Sequence, residues 1–287
     1  EYLSFKFNTP LWLIKMWRKH YGYKVMRKIL VANSKHFVNF AMFNKEFGSE
    51  EEFLRENPTF IPSKFEGFYT LDEKCSIKKT KAYVDQKIYV YPVSLLEVVK
   101  EADADSFRGI AAYTSTPNNL LSALASQLTS YVEMDYLIGK QQAYFEIKAE
   151  REHFNLKNVH IYEGQPSGLI TCISKKVHSM FVIPESSNFF LLRNTPDYFI
   201  KFDQNSLDEI ILNEEIALNE SCEFVENGGY LAYIIPTTSE KESHGIISKF
   251  LNNHPEFTLV KEKQIMPYSE YETTMYYAIM MKGNIND

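Results

Sequence analysis

The chain offers few groups that could act as a nucleophile or a metal ligand. Its three cysteines, Cys75, Cys172 and Cys222, lie far apart with no metal-ligand spacing between any two. They read as reduced thiols of a cytosolic-type protein, Cys172 within an apolar strand and Cys222 within a helix. The seven histidines are scattered, so no metal site is expected. Ser186 lies in Pro184-Glu185-Ser186-Ser187-Asn188, with no His/Asp pair near it in sequence to ionise its hydroxyl. Asp135 follows Tyr131-Val132-Glu133-Met134, as a ligand contact at a strand end or as a helix N-cap. The densest chemistry is cationic. Eight of the 31 basic side chains but only one of the 37 acidic ones fall in residues 1–36, so the net charge of −6 hides a basic lead on an acidic body. Lys15, Arg18, Lys19, Lys24, Arg27 and Lys28 carry most of it. Clustered cations of this kind bind phosphates, and solvated faces of amphipathic helices are the alternative.

Two helices are expected to position those cations. Thr9-Pro10 marks a start, with Thr9 as cap and Pro10 in the first turn, and the helix runs to about His20 and stops before Gly22. Leu11, Ile14 and Trp17 face inward. A second helix over about 23–33 repeats the scheme with Val25, Ile29 and Ala32 inside. A strand over 37–44 follows, then a helix capped by Ser49 whose Glu50-Glu51-Glu52 form a solvated first turn. Residues 59–95 alternate short strands and turns. The pattern predicts a smaller α+β lobe over 1–95.

Beyond it the sequence alternates strand and helix. Strands are predicted at 107–112, 130–135, 157–162, 178–183, 229–235, 256–263 and 273–282, and helices at 117–128, 138–153, 204–225 and 240–253. Such alternation means a mostly parallel, Rossmann-like sheet covered on both faces, forming a second domain over 96–287. With 45% hydrophobic residues the 287-residue chain buries a substantial core, and it has no apolar run of membrane-spanning length and no signal peptide. A cytoplasmic, monomeric protein is expected, with an organellar matrix as the alternative location. Because it opens on Glu1 instead of Met, it is expected to be a processed or trimmed piece.

Two stretches carry a resemblance. Gly228-Gly229-Tyr230-Leu231-Ala232-Tyr233-Ile234-Ile235-Pro236 aligns with G-G-x-L-V-Y-S-T-C, and Ile183-Pro184-Glu185-Ser186-Ser187-Asn188 through Arg193-Asn194-Thr195-Pro196-Asp197 aligns with D-A-P-C-S-G-x-G-x-x-R-R-N-P-D. Asn8-Thr9-Pro10-Leu11-Trp12-Leu13-Ile14-Lys15-Met16-Trp17 matches an S-x-P-x-W-L-V-x-x-W opening, and Thr274–Lys282 matches a D-G-F-F-x-A-x-L-x-K ending. Together these resemble the Sun (Fmu, RsmB-type) family of RNA cytosine-5 methyltransferases, over nearly the whole chain. The resemblance implies a seven-stranded S-adenosylmethionine-methyltransferase sheet and an RNA substrate. It does not extend to the NusB-like RNA-binding domain that bacterial members often carry.

The resemblance also exposes losses. Pro236 stands where the family has its nucleophilic cysteine and Ser186 where it has the second one; Ile183 replaces the aspartate that holds the base. In the cofactor loop D-L-C-A-A-P-G-G-K-T, the frame keeps Ala111 and Ala112 but puts Thr114-Ser115 on the glycine pair, whose backbone freedom side chains restrict. Asp135 takes the place of the carboxylate that holds the ribose, and Glu163-Gly164-Gln165 the place of the adenine-side acid. Cytosine C5 methylation needs a thiolate to add to C6 before C5 attacks the sulfonium methyl, and proline has no atom for that step. The expectation is a degenerate homologue that grips ribosomal RNA or a ribosomal assembly intermediate through Lys15, Arg18, Lys19, Lys24, Arg27, Lys28 and Arg193, with S-adenosylmethionine binding weak or lost. Two alternatives stay open: an active rRNA cytosine-5 methyltransferase with a rebuilt site, and a protein–protein interaction module.

Overall fold

The computed structural model describes residues 1–35, 38–71, 76–128, 131–189 and 204–283. Cys75 and Arg193, and the start of the strand expected at 37–44, lie outside them. In chain order the helices are α1 (Tyr2–Lys6), α2 (Leu11–Asn33), α3 (Glu50–Glu56), α4 (Lys81–Val84), α5 (Val93–Glu101), α6 (Leu120–Leu128), α7 (Gln141–His153), α8 (Leu169–Cys172), α9 (Gln204–Cys222) and α10 (His244–Asn253). The strands are β1 (Phe40–Phe43), β2 (Phe60–Pro62), β3 (Phe68–Leu71), β4 (Ile88–Val90), β5 (Ile110–Thr114), β6 (Met134–Ile138), β7 (Val159–Glu163), β8 (Val177–Ile183), β9 (Val225–Ile235), β10 (Phe257–Ile265) and β11 (Met275–Lys282).

The two basic helices are one element broken at Gly22, whose φ of 78° and ψ of 170° leave the helical region in a conformation that glycine adopts without a Cβ penalty. Ile14, Trp17, Ile29 and Ala32 are buried as expected, and Leu13, Met26 and Leu30 join them. Thr9 does not cap this helix. Its hydroxyl donates to the Phe7 carbonyl at 2.9 Å, and Pro10 is the N-cap residue. Ser49 does cap α3, accepting from Glu52 N at 3.2 Å.

β1–β4 form an antiparallel sheet in the order β2-β3-β1-β4. The stretch after it is not strand and turn throughout: α5 crosses the boundary expected at residue 95. Its β-branched Val93, Val98 and Val99 are weak helix formers, yet all three are buried, so packing overrides propensity. Glu97 fastens α5 to the large sheet through Lys263 Nζ (2.8 Å) and the hydroxyls of Tyr277 (3.1 Å) and Tyr271.

The large sheet has seven strands in the order β10-β11-β9-β8-β5-β6-β7, with β5–β9 mutually parallel and β11 antiparallel to both neighbours. All seven expected strands are present. β8 is buried at every position, as a strand covered on both faces must be. One core, containing Ala112, Tyr136 and Phe181, lies on one side of the sheet, and a second, containing Ala111, Met180 and Tyr233, on the other. This is an α/β methyltransferase fold. No helix among the described residues is long and apolar enough to cross a membrane.

Candidate functional site

In a parallel sheet the loops beyond the C-terminal strand ends are where ligands bind. Here those loops follow β5 (115–119), β6 (139–140), β8 (184–188) and β9 (236–243), joined by the β10–β11 connection (266–274). Pro236 and Ser186 both stand on this edge, in adjacent loops, as the alignment requires. Pro236 is half-buried and Ser186 fully buried. The Ser186 hydroxyl is used up locally, donating to Asn188 Oδ1 (3.3 Å) and accepting from Asn188 N (3.2 Å). Asn188 takes a φ of 49°, a left-handed turn that Asn tolerates.

The residue after each of these positions closes the gap between the loops. Ser187 Oγ lies 3.0 Å from Thr237 Oγ1, and both hydroxyls donate to Glu242 Oε2, at 2.7 and 3.0 Å. Ser187 N donates to Glu242 Oε1 at 2.7 Å. Tyr233 O–H donates to the Glu242 carbonyl at 3.0 Å, and Gln264 to the Thr237 carbonyl at 2.9 Å. Burial raises the Glu242 carboxyl above the usual carboxylate range against these stabilising bonds. Glu214 is raised well above it, by burial first and the neighbouring Glu242 charge second. The result is a clasp of fully buried groups with no acid or hydroxyl aimed at open space. The sequence reading places Glu242 within the helix predicted over 240–253 and gives it no role.

The same loop is tied to α2. Trp17 Nε1 donates to Thr238 Oγ1 at 2.8 Å, Tyr21 O–H donates to the Thr238 carbonyl at 2.9 Å, and His20 Nδ1 sits 2.5 Å from Glu240 Oε2. Burial, with the Glu240 charge behind it, pushes the Tyr21 phenol up to about 12.

The thiols stand elsewhere. Cys172 is not in a strand but ends α8, and Cys222 ends α9, its Sγ 3.1 Å from the Asn219 carbonyl. Burial first, then the charge of Glu223, pushes the Cys222 thiol up to about 12, which leaves it protonated and inert. Among the described residues no group of three or more His, Cys, Asp or Glu could hold a metal.

The cofactor anchors expected from sequence are displaced. Ala111 and Ala112 lie inside β5, fully buried, and Ala111 pairs with Asp135. Asp135 therefore opens β6 instead of ending it, at the sheet edge opposite the loops, where Tyr162 O–H lies 3.4 Å from its Oδ1. Burial raises its carboxyl. The edge itself is reached three register positions later, at Thr114↔Ile138. There Thr114 Oγ1 donates to the Ile183 carbonyl (2.8 Å), Tyr113 O–H meets Ser115 Oγ (2.8 Å), and Asn118 Oδ1 accepts from Tyr136 O–H (3.0 Å). A Cβ at Gly139 would come within 2.6 Å of the Tyr113 hydroxyl, so that hydroxyl lies directly against the start of the β6 loop. Lys140 and Glu185 form an ion pair at 2.5 Å from the β6 loop to the β8 loop. The residues that close β6 are Ile138, Gly139 and Lys140, with no carboxylate for a ribose.

Lys15, Arg18, Lys19, Lys24, Arg27 and Lys28 are all exposed on α2, and none pairs within 4.0 Å with a carboxylate among the described residues. The kink at Gly22 separates them into two groups.

No family model matches the chain, and no curated protein sequence matches it. Its fold, however, is shared with solved structures. PH0851 superposes with a TM-score of 0.85 at 17% identity, covering 98% of this chain and 67% of that one. NSun6 from Pyrococcus horikoshii with SFG gives 0.83 at 11% identity, covering 96% and 99%. A methyltransferase homologue from Pyrococcus horikoshii gives 0.81 at 12%, covering 98% and 97%. The fold implied by the Sun-family resemblance is thus present from end to end.

Proposed function

We propose that the chain is a degenerate relative of the Sun-family RNA cytosine-5 methyltransferases that binds RNA, with ribosomal RNA or an assembling ribosomal subunit as the target, and transfers no methyl group. The observation that carries this is the Ser187–Thr237–Glu242 clasp. It lies directly behind the positions of both family cysteines and joins their loops through buried hydrogen bonds, where an enzyme of this class needs a thiolate and room for a base.

The cofactor edge supports the same conclusion. S-adenosylmethionine needs glycine-lined backbone beyond β5 and a carboxylate at the end of β6. Side chains of Tyr113, Ser115 and Asn118 occupy the first, and Lys140 stands at the second, paired with Glu185. These residues do not fit the cofactor, and no methyl-transfer step is derived through it. RNA binding draws on the unpaired cations of α2, from Lys15 to Lys28, with Arg193 as a further phosphate contact.

Two measurements test this. Titration calorimetry with S-adenosylmethionine at millimolar concentration is expected to give no binding heat; tight binding would restore the enzyme reading. Replacing Lys15, Arg18, Lys19, Arg27 and Lys28 by Glu is expected to abolish RNA binding and its steep salt dependence. Unchanged binding would point to the protein–protein module instead.

A further inference from the structure

On the distal half of α2, a cavity of about 370 Å³ opens between the helix and the β10–β11 connection. That volume is in the range of small-ligand sites. Its helix wall carries Arg27, Lys28 and Val31, with Lys35 two residues past the helix end, and its other wall carries Tyr268 and Glu272. Tyr268 is 39% exposed and Val31 42% exposed, so an apolar platform faces the opening. Lys28 Nζ hovers 5.3 Å over the Tyr268 ring, and one turn back Arg27 lies 5.9 Å over the half-exposed ring of Tyr23. Ser269 Oγ, also in the lining, is buried without a hydrogen-bond partner among the described residues.

Cations interleaved with exposed aromatic rings are the physical signature of single-stranded nucleic-acid binding, because every base offers a π-face and every linkage a phosphate. The cavity lies on the same sheet edge as the Ser187–Thr237 clasp.

We propose that this cavity receives one unpaired nucleotide of a single-stranded RNA, its base stacked on Tyr268 and its phosphate held by Arg27 and Lys35. Lys28 swings off the ring as the base arrives, and the Glu272 carboxylate keeps the phosphate on the helix side. This assignment rests on the RNA-binding function proposed above and adds the place and the strandedness.

The test is fluorescence anisotropy with a labelled mixed-sequence oligoribonucleotide, as single strand and as duplex, over a KCl series. Tyr268→Ala is expected to weaken single-strand binding about five- to hundredfold with an unchanged salt slope, and Tyr268→Phe to restore it, since stacking needs the ring and not the hydroxyl. Arg27→Gln and Lys35→Gln are each expected to flatten the salt slope by about 0.7. A 4-thiouridine oligonucleotide is expected to photocrosslink to the peptide containing Tyr268. Tyr268 is on the surface, and equal melting temperatures check that each variant is folded. If the wild type binds RNA but Tyr268→Ala binds as well, or the duplex binds as tightly as the single strand, the cavity assignment is overturned while RNA binding stands. If the wild type binds no RNA at all, both fail at the first titration.

Discussion

The Trp17 indole N–H donates to Thr238 Oγ1 across 2.8 Å, and both partners are buried. Through this bond α2 holds the loop after β9, in which the Sun-family alignment places a cysteine at Pro236. The indole has a single donor and no other way to satisfy it.

Thr238→Val keeps the shape and removes the acceptor, so it leaves that N–H unpaired at a cost of about 1–3 kcal/mol. Trp17→Phe removes the donor, losing some packing and this partner of the buried Thr238 hydroxyl, whereas Trp17→Ala costs about 3–5 kcal/mol through the cavity it leaves. Urea unfolding of the three variants gives the order. If Thr238→Val proves neutral while Trp17→Phe is costly, the hydrogen bond contributes nothing and packing alone holds the loop.

Glu150 gives the stability a pH dependence of known sign. It is fully buried between α6 and α7, where Ser122 N donates to Oε1 at 3.1 Å and the Ser122 hydroxyl donates to the same oxygen. Burial raises its carboxyl from 4.5 to about 7. The folded state therefore holds a proton that the unfolded state releases first. Stability from this group is whole below about pH 4.5 and falls as the pH climbs through about 7, by about 3 kcal/mol in all. Glu150→Gln is neutral at every pH, so it should melt above the wild type at pH 8 and level with it at pH 4. Parallel melting curves for the two proteins across that range would refute the assignment.

Much of the fold is legible in the sequence because the sheet interior writes itself plainly. The seven consecutive buried positions of β8 form one apolar run, and Gly22 marks the break in α2. The same plainness hides register. Ala111-Ala112-Tyr113 and Asp135-Tyr136-Leu137 belong to strands covered on both faces, where no alternation tells which residue reaches the edge. The sequence reading ends the two strands at 112 and 135, whereas the structure carries them on to Thr114 and Ile138. Glu242 was missed for another reason. A carboxylate in a Thr- and Ser-rich linker normally faces water, and only the meeting of loops 50 to 55 positions apart, seen in Ser187 against Thr237 and Glu242, turns it inward.

The clasp should itself respond to the charge state. Glu242 and Glu214 both have carboxyls raised by burial, and Glu242's charge raises Glu214 further, so each costs stability as the pH rises past the usual carboxylate range. Glu242→Gln keeps an oxygen for Ser187 N and offers an amide N–H to the two hydroxyls, so it should fold and flatten the pH profile. Glu242→Ala strands Ser187 N–H and both hydroxyls in the interior, which costs several kcal/mol. Denaturant midpoints between pH 5 and 8 separate the cases, and equal losses for Gln and Ala would mean that the carboxyl's volume matters and its bonds do not.

Returning cysteine to the two family positions should not return the reaction. Ser186 is fully buried and Pro236 half-buried. In a Ser186→Cys, Pro236→Cys double variant, the thiol at 236 should therefore react with a disulfide reagent under native conditions, and the one at 186 only after unfolding. Their two loops stay joined by the bonds among Ser187, Thr237 and Glu242. On the function proposed above, the double variant incubated with RNA and radiolabelled S-adenosylmethionine should transfer no label, since the Tyr113–Ser115 and Lys140–Glu185 contacts beyond β5 and β6 are left unchanged. Label on the RNA would mean that sulfur was the missing part and that the rest of the enzyme had been kept.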